Sequence, residues 1–105
     1  MEVELPIELD PPDGVDEAES AVEVLRAWIG DGALLVSLSA TAFADHVEDW
    51  GRLLAEIGHH VAKAAALNGY MEEDQARAVL RAAFASSIET TSAGMSGKLK
   101  KQTEH

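Results

Sequence analysis

Residues 46–67, HVEDWGRLLAEIGHHVAKAAAL, carry two stripes at helical spacing, and no other stretch limits the fold as strongly. Val47, Trp50, Leu54, Ile57, Val61 and Ala65 form an apolar stripe. Beside it runs a stripe of small residues, Gly51, Ala55, Gly58 and Ala62. Two glycines inside a helix cost about 1 kcal/mol each relative to alanine. Close approach of another backbone would offset that cost, either from a following helix or from the same helix of a second copy. Asp45 and Glu48 have the spacing of a capping box and predict the start of this helix, and Asn68-Gly69 predicts its end.

A second helix follows. Glu72, Glu73 and Asp74 suit a first turn beginning near Met71, and Ala76, Val79, Leu80, Ala83, Phe84 and Ile88 fall on one face. Before the long helix, ALLVSLSA (residues 33–40) alternates as a strand does. Asp16 and Glu19 repeat the capping spacing, and Ala18, Ala21, Val22, Leu25, Trp28 and Ile29 share a helical face, so a helix is expected over 16–29, ended by Gly30-Asp31-Gly32. In EVELPIELD (residues 2–10), Val3, Leu5, Ile7 and Leu9 alternate with polar residues and Pro6. That segment reads either as an edge strand, parallel to 33–40 through the helix between them, or as an extended arm with no ladder.

The expected fold is therefore α+β: a single small domain over residues 1–91, ordered β-α-β-α-α, with three helices packed on a short two-stranded sheet that a dimer could extend. From residue 92 the chain is polar and loses periodicity, and 92–105 is expected to be a flexible basic tail.

Charge limits the partners. The formal net charge is −11, and the first 23 residues hold nine acids and no base. Phosphate backbones would be repelled by most of this surface, so no nucleic acid is expected as a partner. The absence of cysteine excludes disulfides and thiolate metal sites. No segment is apolar for long enough to suggest a membrane partner, and no basic-then-apolar leader is present, so a cytoplasmic location is expected.

Catalytic constellations are sparse. No serine sits in a Gly-x-Ser-x-Gly turn, and no Gly-rich loop joins a strand to a helix. Glu56 and His59 form one Glu-x-x-His, a quarter of the ligand set of a di-iron bundle, with His60 beside them. The plainer account is a solvated His59 and i,i+4 surface pairs among Glu48, Arg52, Glu56 and His60, worth about 0.3 kcal/mol each. His60 borders the apolar stripe, which suits a half-buried structural role, a ligand contact or a pH response. His46 lies in a first turn, a poor place for a cation. Trp28 and Trp50 occupy apolar-face positions.

Four strings, LPI (5–7), EVLRAWI (23–29), GALLVSL (32–38) and WGRLLAEIGHHVA (50–62), resemble a small, mostly proteobacterial family catalogued as a domain of unknown function. The resemblance spans about residues 5–88. It implies a single small α+β domain without an established activity, and it singles out Trp28, Trp50, Gly51 and His60. Leu35 departs from it, since family members often carry a histidine in that strand.

These readings favour a non-enzymatic interaction or regulatory domain acting as a homodimer, with no cofactor and an unidentified protein partner. Its expected partner surface holds Trp50, Glu56 and His60, and its close-packing interface holds Gly51, Ala55, Gly58 and Ala62. Two alternatives stay open: a ligand- or metal-binding module centred on Glu56, His59 and His60, and an acidic decoy for a nucleic-acid-binding partner.

Overall fold

The computed structural model describes residues 5–90 and the backbone of Gly97–Leu99. Its elements, in chain order, are β1 (Leu25–Gly30), β2 (Ala33–Leu38), α1 (Val47–Leu67), α2 (Glu73–Glu89) and β3 (Gly97–Leu99). The chain is a small α+β domain with two helices rather than the expected three. The expected tail at 92–105 lies outside the described residues, apart from β3.

The helix expected over 16–29 is replaced by a strand. Asp31 and Gly32 have φ values of +52° and +82°, the left-handed pair of a two-residue type I′ turn. That turn folds β1 back antiparallel on β2, pairing Leu25 with Leu38, Ala27 with Val36 and Ile29 with Leu34 on one face. Leu25, Trp28 and Ile29 satisfy a helical period, but Leu25, Ala27 and Ile29 equally satisfy a period of two. The Asp-Gly turn resolves the ambiguity, because its twist matches that of paired strands. The amide of Ser39 donates to the carbonyl of Val24 at 2.9 Å and continues the ladder beyond β1. Upstream, one turn closes when the Ala18 amide donates to the Gly14 carbonyl, but it does not propagate into a helix.

On the opposite face of the hairpin lie Arg26, Trp28, Gly30, Ala33, Leu35 and Ser37. Leu35 leans over Gly30, so a β-carbon at position 30 would lie 2.9 Å from Leu35 Cδ1. β2 is the central strand, with β3 parallel on its other edge. The strand expected at 33–40 is thus present as β2.

The expected edge strand at 2–10 does not form over residues 5–10, and residues 1–4 lie outside the described residues. Leu5, Ile7 and Leu9 are 80–91% exposed. Pro6, Pro11 and Pro12 remove ladder donors on and after this segment, and β2 already has neighbours on both edges. Arg26 ties the segment down: Nη1 donates to Glu8 at 2.7 Å while the same guanidinium holds Glu23. The hydrogen bond and charge of Glu23, reinforced by the charge of Glu8, raise the Arg26 pKa further.

α1 begins one residue later than the capping signal suggests. His46 occupies the N-cap and makes no side-chain cap bond, Asp45 lies outside the helix, and Glu48 and Asp49 fill the first turn. The other end follows the sequence closely. Gly69 (φ +73°) donates to Ala66 and Tyr70 to Ala65, the two bonds of a Schellman motif, and the Asn68 side chain adds a third to Ala64. α2 then turns back along α1. Its Ala76 and Ala62 of α1 are the two buried apolar residues among the described residues, at 5% and 0% exposure, and their small side chains let the backbones approach.

The helices do not pack on the sheet as expected. Among the described residues, no strand backbone comes close to either helix; contact runs within the sheet and between α1 and α2. Between sheet and helices lies a turn-rich linker, residues 39–46, in which Ala42 donates to Ser39 and His46 to Phe43. Ala44 is held there at φ +50°, a strained conformation for a residue with a β-carbon.

Two outcomes are expected. Gly32→Ala should lower the unfolding free energy by about 1–2 kcal/mol in urea titrations, because alanine resists the left-handed region. Arg26→Ala should lower the urea midpoint only slightly, since its ion pairs are exposed, and that loss should fade as salt is raised.

Candidate functional site

The 3.6-residue period of α1 places Val47, Trp50, Leu54, Ile57 and Val61 on one seam, spaced alternately by three and four residues. This is the a/d spacing of a helix prepared for a long, straight partner surface. Among the described residues nothing fills it: Val47, Leu54, Ile57 and Val61 are all exposed. Trp50 is half-buried because Phe43, in the linker, meets it edge to face with ring centroids 5.0 Å apart at 84°. Trp50 therefore anchors the linker to the start of α1 as well as belonging to the seam.

The small-residue stripe divides. Ala62 is buried at the α1–α2 contact. At Gly51 and Gly58, an added β-carbon would meet nothing within 4 Å, and Ala55 is exposed. The close backbone approach that would offset the two glycines is absent within the chain at those positions. α2 contributes further open apolar surface, with Val79, Phe84 and Ile88 about half to two-thirds exposed.

Glu56, His59 and His60 are exposed on α1. No group of three or more His, Cys, Asp or Glu side chains that could hold a metal ion occurs among the described residues. The expected pairing of Arg52 with neighbouring glutamates is redirected: Arg52 Nη1 donates to Asp49 at 2.5 Å. Glu48 instead approaches His46, with 3.5 Å between Oε2 and Nδ1. On α2, Arg77 makes the equivalent backward bond to Asp74. A shallow, open depression at the α1–α2 turn is rimmed by Glu72, Glu73 and Asp74 beside Tyr70 and Met71. No helix of the described residues is long and apolar enough to cross a membrane.

One surface escaped sequence reasoning. The hairpin face formed by Leu25, Ala27, Ile29, Leu34, Val36 and Leu38 is wholly apolar, and Ile29 is 73% exposed. Its signal was the Asp-Gly dipeptide between two alternating apolar runs. The chain thus presents two partly open apolar faces: one on the sheet, where Ala27, Ile29 and Leu34 are exposed and Leu25, Val36 and Leu38 half-buried, and one on α1.

No curated protein matches the chain. A solved structure from the photosynthetic bacterium Rhodopseudomonas palustrus, described as a "putative pyruvate dehydrogenase", shares 30% sequence identity with it. The match covers 94% of this chain and 95% of that one, with a TM-score of 0.68. The sequence model of a family described as a domain of unknown function (DUF5076) matches residues 8–92. The resemblance carried by EVLRAWI, GALLVSL and WGRLLAEIGHHVA falls within that span, and the chain belongs to this family, the domain of unknown function DUF5076.

Proposed function

We propose that this chain is a bacterial, cytoplasmic interaction or regulatory domain that works as a homodimer and catalyses no reaction of its own. One observation carries the reading: among the described residues no large apolar side chain is fully buried, and many, from Ile29 to Val61 and Ile88, are exposed. Only two alanines are buried hydrophobic residues among the described residues. A hairpin of two short strands and a pair of helices joined through alanine are each marginal alone. A second subunit covering their apolar faces would give the burial that a stable domain of this length needs.

The bacterial source of the solved relative supports a bacterial origin. The description of that relative as a pyruvate dehydrogenase belongs to that protein. No constellation among the described residues supports carrying it to this chain, and the common ground is the fold. The ligand-binding and decoy readings have less behind them. Glu56, His59 and His60 stand in solvent without a shared hydrogen bond, and Arg26 neutralises part of the acidic leader by pairing with Glu8 and Glu23.

Sedimentation velocity at micromolar concentration is expected to give twice the chain mass, and the melting temperature should rise with protein concentration. Leu54→Glu, on the open seam, should weaken self-association at least tenfold while far-UV circular dichroism retains the helical signal. A monomer whose melting temperature does not depend on concentration would refute the reading.

A further inference from the structure

We infer that residues 5–10 form a strap poised to close on the outer edge of β1 as a further strand, antiparallel to it, with Glu8 opposite Arg26. The inference stands apart from the homodimer reading, because every contact it invokes lies within one chain. The strap is already tethered: Arg26 Nη1 donates to Glu8 at 2.7 Å. The same guanidinium holds Glu23, just ahead of β1, so the loop between Glu8 and Glu23 is closed at this point. Within that loop the chain turns at Gly14 (φ +98°), where the Val15 amide donates to the Pro12 carbonyl. A returning loop suits an antiparallel pair, whereas a parallel pair needs a crossover. In this structure the segment makes no ladder, and Leu5, Ile7 and Leu9 are 80–91% exposed.

The edge it would meet is free. β1 is the outer strand in the order β1-β2-β3, and its second edge has no ladder partner among the described residues. The hairpin fixes which residues face that edge. Gly30 and Ala33 close the two-residue turn, and the Ser39 amide donates to the Val24 carbonyl. Val24, Arg26, Trp28 and Gly30 therefore direct their backbone groups at β2, and Leu25, Ala27 and Ile29 point theirs outward.

One register satisfies every feature of the segment. Side chains directly opposite share a face, so Glu8 and Arg26 can stay paired. Leu9, Ile7 and Leu5 then stand opposite Leu25, Ala27 and Ile29 and lengthen the apolar row of the sheet. Those three residues also supply the amides and carbonyls that face β1, whereas Pro6, which has no amide, sits at a position facing away. Pro11 falls on the ladder side and ends the strand. A slip of one residue would put Pro6 on the ladder side and turn the apolar row to the Arg26 face. Open, the strap leaves the outward groups of β1 as a template for a strand of another chain. Closed, it occupies them, and the new edge is blunted by Pro6, Glu8 and Asp10. The strap thus regulates whether the sheet can be extended.

Nuclear magnetic resonance of the full chain tests this register. Amide exchange should be at least tenfold more protected at Ile7 and Leu9 than at Glu8 and Asp10, relative to unfolded-peptide rates. Close Hα–Hα contacts should join Glu8 to Arg26 and Pro6 to Trp28. Ile7→Pro deletes a donor on the ladder side and should remove protection at Leu9 and Ala27. Protection at Arg26 and Trp28, whose amides face β2, should survive and shows that the hairpin is still folded. Equal protection at odd and even positions of 7–10, or no response of Ala27 to Ile7→Pro, would overturn closure. Hα contacts joining other pairs would overturn the register. In a mixture of labelled and unlabelled chains, a Glu8–Arg26 contact found between chains would overturn closure within the chain.

Discussion

The linker at residues 39–46 is the constraint on which the rest of the structure depends. It turns the chain out of β2, passes through Ala44 in a left-handed conformation, and delivers Phe43 to the ring of Trp50. Because Trp50 belongs to the first turns of α1, this contact orients the helix relative to the sheet. Each half of the molecule has a local partner, β1 for β2 and α2 for α1, and each keeps exposed apolar side chains among the described residues. Apolar surface left in water forgoes the dominant favourable term of folding, so its arrangement guides the reading of the domain.

Much of the helical half was legible because its signals are local. The period of α1 persists over 21 residues, and Asn68-Gly69 closes it with the hydrogen bonds that such a pair permits. The start was less legible, since Asp45 and His46 compete for the cap and the strained Ala44 beside them leaves Asp45 outside the helix. The stripe of small residues was visible, but what it faced was not. Ala62 meets α2, while Gly51 and Gly58 face open space, and the two environments look alike in sequence because small residues suit any close neighbour.

The sheet was harder to read for a different physical reason. A helix satisfies its backbone within itself, whereas a strand needs a partner, so a strand's identity depends on residues elsewhere. Leu25–Gly30 fits a helical face and an alternating one, and residues 5–10 alternate without gaining a ladder. Arg26 shows the same dependence. In a helix it would be one more surface cation, but in β1 it reaches an acid eighteen residues away and holds the leading segment near the sheet.

By itself, the sequence determined α1, α2, β2 and the acidic character of the chain, because periodicity, capping residues and charge act over a few neighbouring positions. It also carried enough of its family's pattern to be placed among domains of unknown function. Only the tertiary structure decided that 25–30 pairs as a strand, that residues 5–10 do not, and that sheet and helices stand apart with their apolar faces open. Those outcomes turn on pairing partners and on the backbone angles of one short linker, and residue type alone leaves both undetermined.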